Sequence, residues 1–190
     1  SVICNLSSYL PIQSIMMNLI LDQDFTLPIL ATILWFTIFN LHCATQIMSN
    51  PNAMDPNCRF DYNNKLWALN DRTVLNMSEQ TPAFLAIVWL HALFVSAETA
   101  GQLGLAAAAF RIFYPYLRAK KFLLMEFSTI PFYVCLVIMK WNLLFVAFSG
   151  KAKFEGVTAK VLGVGLLLHA AHVLVDIIYG LAAKAVTSKL

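Results

Sequence analysis

Arg72-Thr73-Val74-Leu75-Asn76-Met77-Ser78-Glu79-Gln80-Thr81-Pro82-Ala83-Phe84 is a polar opening that runs unbroken into the apolar stretch Leu85 to Ala97. At helical spacing Arg72, Asn76 and Glu79 stand at i, i+4 and i+7, so one face carries a cation, an amide and a carboxylate into a segment of membrane length. Ionisable groups in such a segment are costly unless they face a bundle interior or a wet cavity, which makes them functional candidates. A polar helix start, where a carboxylate favours the first turn, accounts for the neighbouring Asp71. It accounts less well for three polar groups on one stripe.

The rest of the chain is apolar enough to set the class. Of 190 residues, 59% are hydrophobic and only 12% charged, and the mean hydropathy is +0.70. These values lie outside the range of an ordinary soluble domain and predict an all-α integral membrane protein. Its helices must satisfy their polar faces against one another or another chain, because lipid cannot. The net charge of +3 is small and scattered, so no nucleic-acid partner is indicated. Cys4, Cys43, Cys58 and Cys135 are far apart and form no CxxC pair, which points to reduced thiols rather than zinc or a disulfide framework.

Three regions follow. Residues 1–25 form an N-terminal extension in which Tyr9 to Leu21 is apolar but too short to span, an interfacial or re-entrant segment. Residues 26–149 hold four helices: Leu27 to Met48; about Leu66 to Ala97; a third, after a short link near Glu98 to Gly101, ending at Arg118, Lys120 and Lys121; and Phe127 to Phe148, with Lys140 embedded. Pro51 and Pro56 mark Asn50 to Asn64 as a turn-rich loop, and Pro82 predicts a kink just past the polar stripe. Gly101, Gly104 and Ala106 to Ala109 give the third helix a small-residue face suited to close packing. Residues 150–190 are a basic loop and a fifth hydrophobic helix, Thr158 to Val186, with His169, His172 and Asp176 on one face. The His-x-x-His spacing is compatible with a metal or haem, but no third ligand stands nearby, so a packed polar seam is preferred and no metal is assigned.

Helices two and three form an antiparallel hairpin. Glu79 lies nineteen residues before Glu98 and Arg118 twenty residues after it, so the two share a depth, with Arg111 and Tyr114 one to two turns deeper. Arg72, Asn76, Glu79, Arg111, Tyr114 and Arg118 then line a polar cleft. Arginines suit carboxylates, Glu79 an ammonium and Asn76 an amide, a set that fits a zwitterionic peptide such as glutathione. The same residues would serve equally as internal salt bridges.

Arg72-x-x-x-Asn76-x-x-Glu79-x-x-Pro82-x-Phe84, followed thirty-nine positions after Arg72 by Arg111-x-x-Tyr114, resembles the MAPEG family, the membrane-associated proteins of eicosanoid and glutathione metabolism. The resemblance covers roughly Leu27 to Phe148. It implies a MAPEG-like four-helix transmembrane bundle, a homotrimer, and glutathione as cosubstrate held between protomers by Arg72, Asn76, Glu79, Arg111 and Tyr114. It also implies an intracellular membrane, endoplasmic reticulum or mitochondrial.

Departures from the family are equally specific. Gln80 stands where active members commonly have a tyrosine, Arg118 stands where they have another, and Leu123 to Thr129 lacks the arginine that stabilises the glutathione thiolate. A cation is needed there because the thiol is mostly protonated at neutral pH; Arg118 is the catalytic candidate to replace it, with Lys120 and Lys121 nearby. Two functions follow: transfer of glutathione to, or reduction of, a lipophilic small molecule entering from the membrane lipids, or a non-catalytic accessory subunit of a larger organellar membrane complex.

The residues before the first helix carry no Lys or Arg, the loop after it has Arg59 and Lys65, and the third link has Arg118, Lys120 and Lys121. The positive-inside rule then puts the N-terminal side outside and the polar opening of helix two at the cytosolic face or its equivalent; Lys151, Lys153 and Lys160 are exceptions. An impermeant thiol reagent should treat native Cys58 and a cysteine introduced at Ala119 alike; labelling of one with protection of the other overturns this topology.

Overall fold

Caps at the helix ends divide the chain. The computed structural model describes residues 23–49, 63–120, 122–154 and 156–187, with backbone alone for Phe122, Asp176 and residues 179–187. The segment Tyr9 to Leu21, Cys4, Cys58 and most of the loop Asn50 to Asn64 lie outside the described residues. Six helices are described: α1 (Thr26–Met48), α2 (Lys65–Phe94), α3 (Ala97–Ile112), α4 (Tyr114–Lys120), α5 (Phe122–Ser149) and α6 (Ala159–Thr187). Asp24 starts α1 by accepting from the Thr26 amide at 2.8 Å. The Thr26 hydroxyl, and then that amide, hold the Asp24 carboxyl below its ordinary value.

Asn64 caps α2 through the amides of Leu66 and Trp67, both at 3.1 Å. The α2–α3 link is Val95 and Ser96, upstream of the expected Glu98 to Gly101. Ser96, in extended conformation, caps α3 by accepting from the Thr99 amide at 3.2 Å. The predicted third helix is broken as well. Pro115 has no amide hydrogen to offer the carbonyl four residues back, that of Arg111, and Phe113 separates α3 from α4. The freed Arg111 carbonyl has His42 Nε2 at 3.4 Å.

Cross-helix contacts fix the directions. Gly101 sits against Leu27 and Gly104 against Ala31, so α1 and α3 run parallel. Trp35 Nε1 donates to the Thr81 hydroxyl at 2.9 Å and Gln46 Nε2 to Asp71 at 2.7 Å, so α2 runs against α1. Gly165 meets Val134 and Ile138, while Tyr133 stacks on His169, so α6 runs against α5. The small-residue face of α3 thus finds its close partner in α1 of the same chain and needs no second copy. Asp71, expected to be a helix-start residue, is buried in the α1–α2 seam.

The core is largely apolar but holds several polar side chains, and large apolar side chains also cover the outside. His42, Asp71, Thr73, His91, Arg111, Ser128 and Asn142 are buried, while Ile33, Phe36, Leu167, Val175 and Ile178 are exposed. α1 and Leu123–Ser149 of α5 are long and apolar enough to cross a membrane. α3 has 16 residues, about 24 Å at 1.5 Å per residue, short of a ~30 Å hydrocarbon core by itself.

One buried network closes the bundle at the α2–α3 turn. His91 Nδ1–H donates to the Ser96 carbonyl at 3.3 Å while Nε2 accepts from Asn142 Nδ2 at 3.3 Å, an arrangement that a single neutral tautomer satisfies. Asn142 also exchanges two hydrogen bonds with the Phe154 backbone, at 2.7 and 2.9 Å. The post-α5 loop is held to the core by this clasp.

A Cβ on Gly101 would lie 2.7 Å from the Leu27 carbonyl carbon and 2.8 Å from the Pro28 nitrogen, whereas one on Gly163 meets nothing within 4 Å. Gly101→Ala should therefore lose roughly 1 to 3 kcal/mol through forced separation of α1 and α3, and Gly163→Ala should be neutral or gain up to about 1 kcal/mol from helix propensity. Thermal unfolding in detergent ranks the two; equal midpoints would mean the α1–α3 approach is looser than described.

Candidate functional site

The site starts from an aromatic column. Trp35 of α1 stacks on Phe84 of α2 with centroids 4.1 Å apart and on Phe132 of α5 at 5.7 Å. All three rings are fully buried. The Arg111 guanidinium lies over the next face, 3.9 Å from the Phe132 centroid, with Tyr114 at 5.2 Å and Tyr133 at 5.8 Å. Arg111 belongs to the last turn of α3, where a cation meets the negative end of the helix dipole.

This cation is 1% exposed. Its Nε, Nη1 and Nη2 have no hydrogen-bond acceptor among the described residues, and no carboxylate there pairs with it. The surrounding ring faces supply a negative surface but no carboxylate. A desolvated cation–π contact returns about 2 kcal/mol, whereas taking an ion out of water costs several. Arg111 is thus a charge still lacking an anion.

Tyr114, four residues before Arg118, accepts a hydrogen bond from Arg118 Nη1 on its hydroxyl oxygen at 3.1 Å. The phenol proton remains free to donate, strengthened by the cation behind it. Arg118 therefore acts on whatever meets Tyr114 through the phenol. Lys120 lies over the Tyr116 ring, 4.6 Å from its centroid, and Lys121 lies outside the described residues.

The α2 stripe is organised differently. Arg72 Nη1 and Glu79 Oε1 pair with each other at 3.2 Å, the side chains 46% and 52% exposed. Asn76, between them in sequence, has its Oδ1 buried without a partner among the described residues. The six sequence-predicted residues thus separate into Tyr114 with Arg111 over its ring and Arg118 bonded to its hydroxyl, Arg72 paired with Glu79, and Asn76 by itself on the α2 stripe. α4 packs beside α2, but no direct contact joins the groups among the described residues.

Sequence reasoning missed Phe132 and Tyr133, which flank Arg111, and His42, which takes up its carbonyl. The local signal for His42 was Pro115, whose missing amide requires a substitute donor four residues upstream. Phe132 and Tyr133 lie in an apolar helix rich in aromatics and carry no local mark. Of the C-terminal candidates, His169 stacks on Tyr133 at 5.5 Å, and no three His, Cys, Asp or Glu side chains converge on a metal position among the described residues. Cys43 and Cys135 are free thiols.

Comparisons with known protein families, with curated proteins and with solved structures find no match to the chain.

Because Arg111 is buried without an anion, Arg111→Met should leave the chain at least as stable in ligand-free detergent, the loss of cation–π contact being offset by removal of the buried charge. Arg72→Ala should change stability by no more than about 1 kcal/mol, the worth of an exposed ion pair. A fall of several degrees for Arg111→Met in the thermal midpoint would show that the guanidinium is already compensated.

Proposed function

We propose that this chain is an integral membrane protein of MAPEG type that binds glutathione. The observation that carries the reading is Arg111: a buried guanidinium in an aromatic cradle, without an anion, is a ready receptor for a carboxylate. Arg72 and Glu79 support it. They are half-exposed, and their weak mutual pair can be exchanged for the carboxylate and ammonium of a zwitterion, with the idle Asn76 carbonyl accepting an amide N–H.

The chemistry follows from Tyr114. Its hydroxyl, polarised by Arg118, donates to a sulfur anion and favours thiolate over thiol. The sulfur can then form a bond to a lipophilic electrophile, the leaving group departing with the bonding pair, or attack a lipid hydroperoxide, releasing the alcohol as the O–O bond breaks and becoming a sulfenic acid that a second glutathione converts to the disulfide and water. Arg118 in this scheme is a positioning and polarising residue in place of the family's helix-four arginine. A homotrimer in the endoplasmic reticulum or mitochondrial membrane belongs to the same proposal.

A second reading, an accessory subunit of a larger membrane complex, is favoured by the apolar outer face of α6, where Leu167, Leu174 and Val175 are exposed. Mass in mild detergent separates the two: a particle of this chain alone favours the first, one copy within a larger assembly the second.

Charge-assisted contacts are worth ~1.5 to 3 kcal/mol each, so Arg72→Ala or Glu79→Ala should weaken glutathione binding roughly ten- to a hundredfold, and Arg111→Met by at least as much. Arg118→Ala should raise the bound thiol's pKa more than it lowers affinity. Calorimetry, with thiolate absorbance across pH, reads both. Absence of binding by the parent chain removes the proposal, and binding without a lowered thiol pKa leaves a glutathione-holding protein without nucleophilic chemistry.

A further inference from the structure

A second polar feature lies between α2, α5 and α6, apart from the α2 stripe and the cluster of Arg111, Tyr114 and Arg118. It is a cavity of about 400 Å³ whose polar wall is Gln80, Tyr133, Lys140, His169 and His172. It adjoins an apolar cavity of about 430 Å³ running along Leu90, Phe94, Leu143 and Leu144, and the two share Ile87 and Lys140. Each is of ordinary small-molecule size. Together they make one groove with a polar half and an apolar half, Lys140 at the junction.

The polar half is rich in groups that can donate. Neither lining contains an Asp or Glu, and the side chains of Gln80, Lys140, His169 and His172 make no hydrogen bond among the described residues. An amide, a phenol, an ammonium and two imidazoles therefore face the same space; each can donate, and none carries a negative charge. One wall is flat: the Tyr133 and His169 rings stack with an interplanar angle of 10°. The position is deep. His172 is thirteen residues into α6, about 20 Å along it at 1.5 Å per residue.

These features select the occupant. The fixed Lys140 donor, with further side chains able to donate, suits a ligand that accepts hydrogen bonds at more than one point, and the stacked rings suit a planar ring. A position midway along the apolar helices α5 and α6 favours a neutral head over an anion, which would shed more of its hydration. The apolar half calls for a hydrocarbon tail. We propose that the groove binds a para-quinone with an isoprenoid tail: the ring against Tyr133 and His169, carbonyl oxygens accepting from Lys140 and His172, and the tail along Leu90 and Leu143. Glutathione plays no part in this site.

The test titrates decylubiquinone into the purified full chain at fixed neutral-detergent concentration and follows tryptophan fluorescence, which quinones quench. Trp141 follows Lys140 on α5 and is 37% exposed, and Trp89 precedes Leu90 on α2, so the two are the reporters. Quenching should saturate at one quinone per chain and lose its saturable part when both are replaced by Phe. Lys140→Leu and His172→Phe, both at exposed positions, should each raise the half-saturation point about tenfold, the worth of one good hydrogen bond in a dry site. Ala83→Phe should block the groove. Palmitate in equimolar amount should not displace the quinone. Quenching that rises linearly and equally in parent and variants, half-saturation unchanged in Lys140→Leu and His172→Phe, or displacement by palmitate would each overturn the proposal.

Discussion

Arg111 is a positive charge placed beneath three packed helices, and the arrangement of the bundle can be followed outward from it. Its guanidinium continues the column Phe84, Trp35 and Phe132, so α1, α2, α3 and α5 all meet at one stack. The aromatic faces supply a negative surface but no full charge. Its backbone carbonyl, freed by Pro115, brings in His42, so a single residue engages α1 and α5 through different atoms. A position that binds both by main chain and by side chain is held in place, and a held, uncompensated cation is what an anionic ligand requires from a receptor.

The packing around it follows the rules of a lipid-facing bundle rather than those of a water-soluble core. Alanine and glycine on α3 bring its backbone against Leu27, Pro28 and Ala31 of α1, where association depends on close contact more than on hiding apolar area from water. Between the other helices the seams are polar: Gln46 with Asp71, Trp35 with Thr81, and His91 with Asn142. Each links positions far apart in sequence. Where a soluble protein would end at an apolar core, here the apolar residues continue out to the surface of α1 and α6.

How much of this was legible in the sequence varied with how local the cause was. The helices of the 26–149 region and the fifth hydrophobic helix appear near their expected bounds because hydropathy is a property of contiguous residues. The break at Phe113 was missed although Pro115 announced it, and the early start of α3 was missed although Ser96 is a standard N-cap residue. Asp71 was misjudged for a different reason: its partner Gln46 is twenty-five residues away and on another helix. The stripe Arg72, Asn76 and Glu79 is where periodicity placed it, but Arg72 reaches two turns along the same helix to Glu79, which spacing alone left undecided between ligand site and internal pair. The aromatic cradle was invisible because Phe132 and Tyr133 differ from the other aromatics of α5 only in what lies opposite them.

The run of directions also fixes where the two ends of the bundle lie. α1 and α3 point one way, α2 and α5 the other, and α6 returns along α5, so the number of passes is odd and Gln23 and Thr187 sit at opposite poles. Arg111, Tyr114 and Arg118 lie at the pole of Met48 and Thr187. A partner tethered beyond α6 would therefore lie at the same end of the bundle as the arginine cluster, while one tethered ahead of α1 would lie at the other.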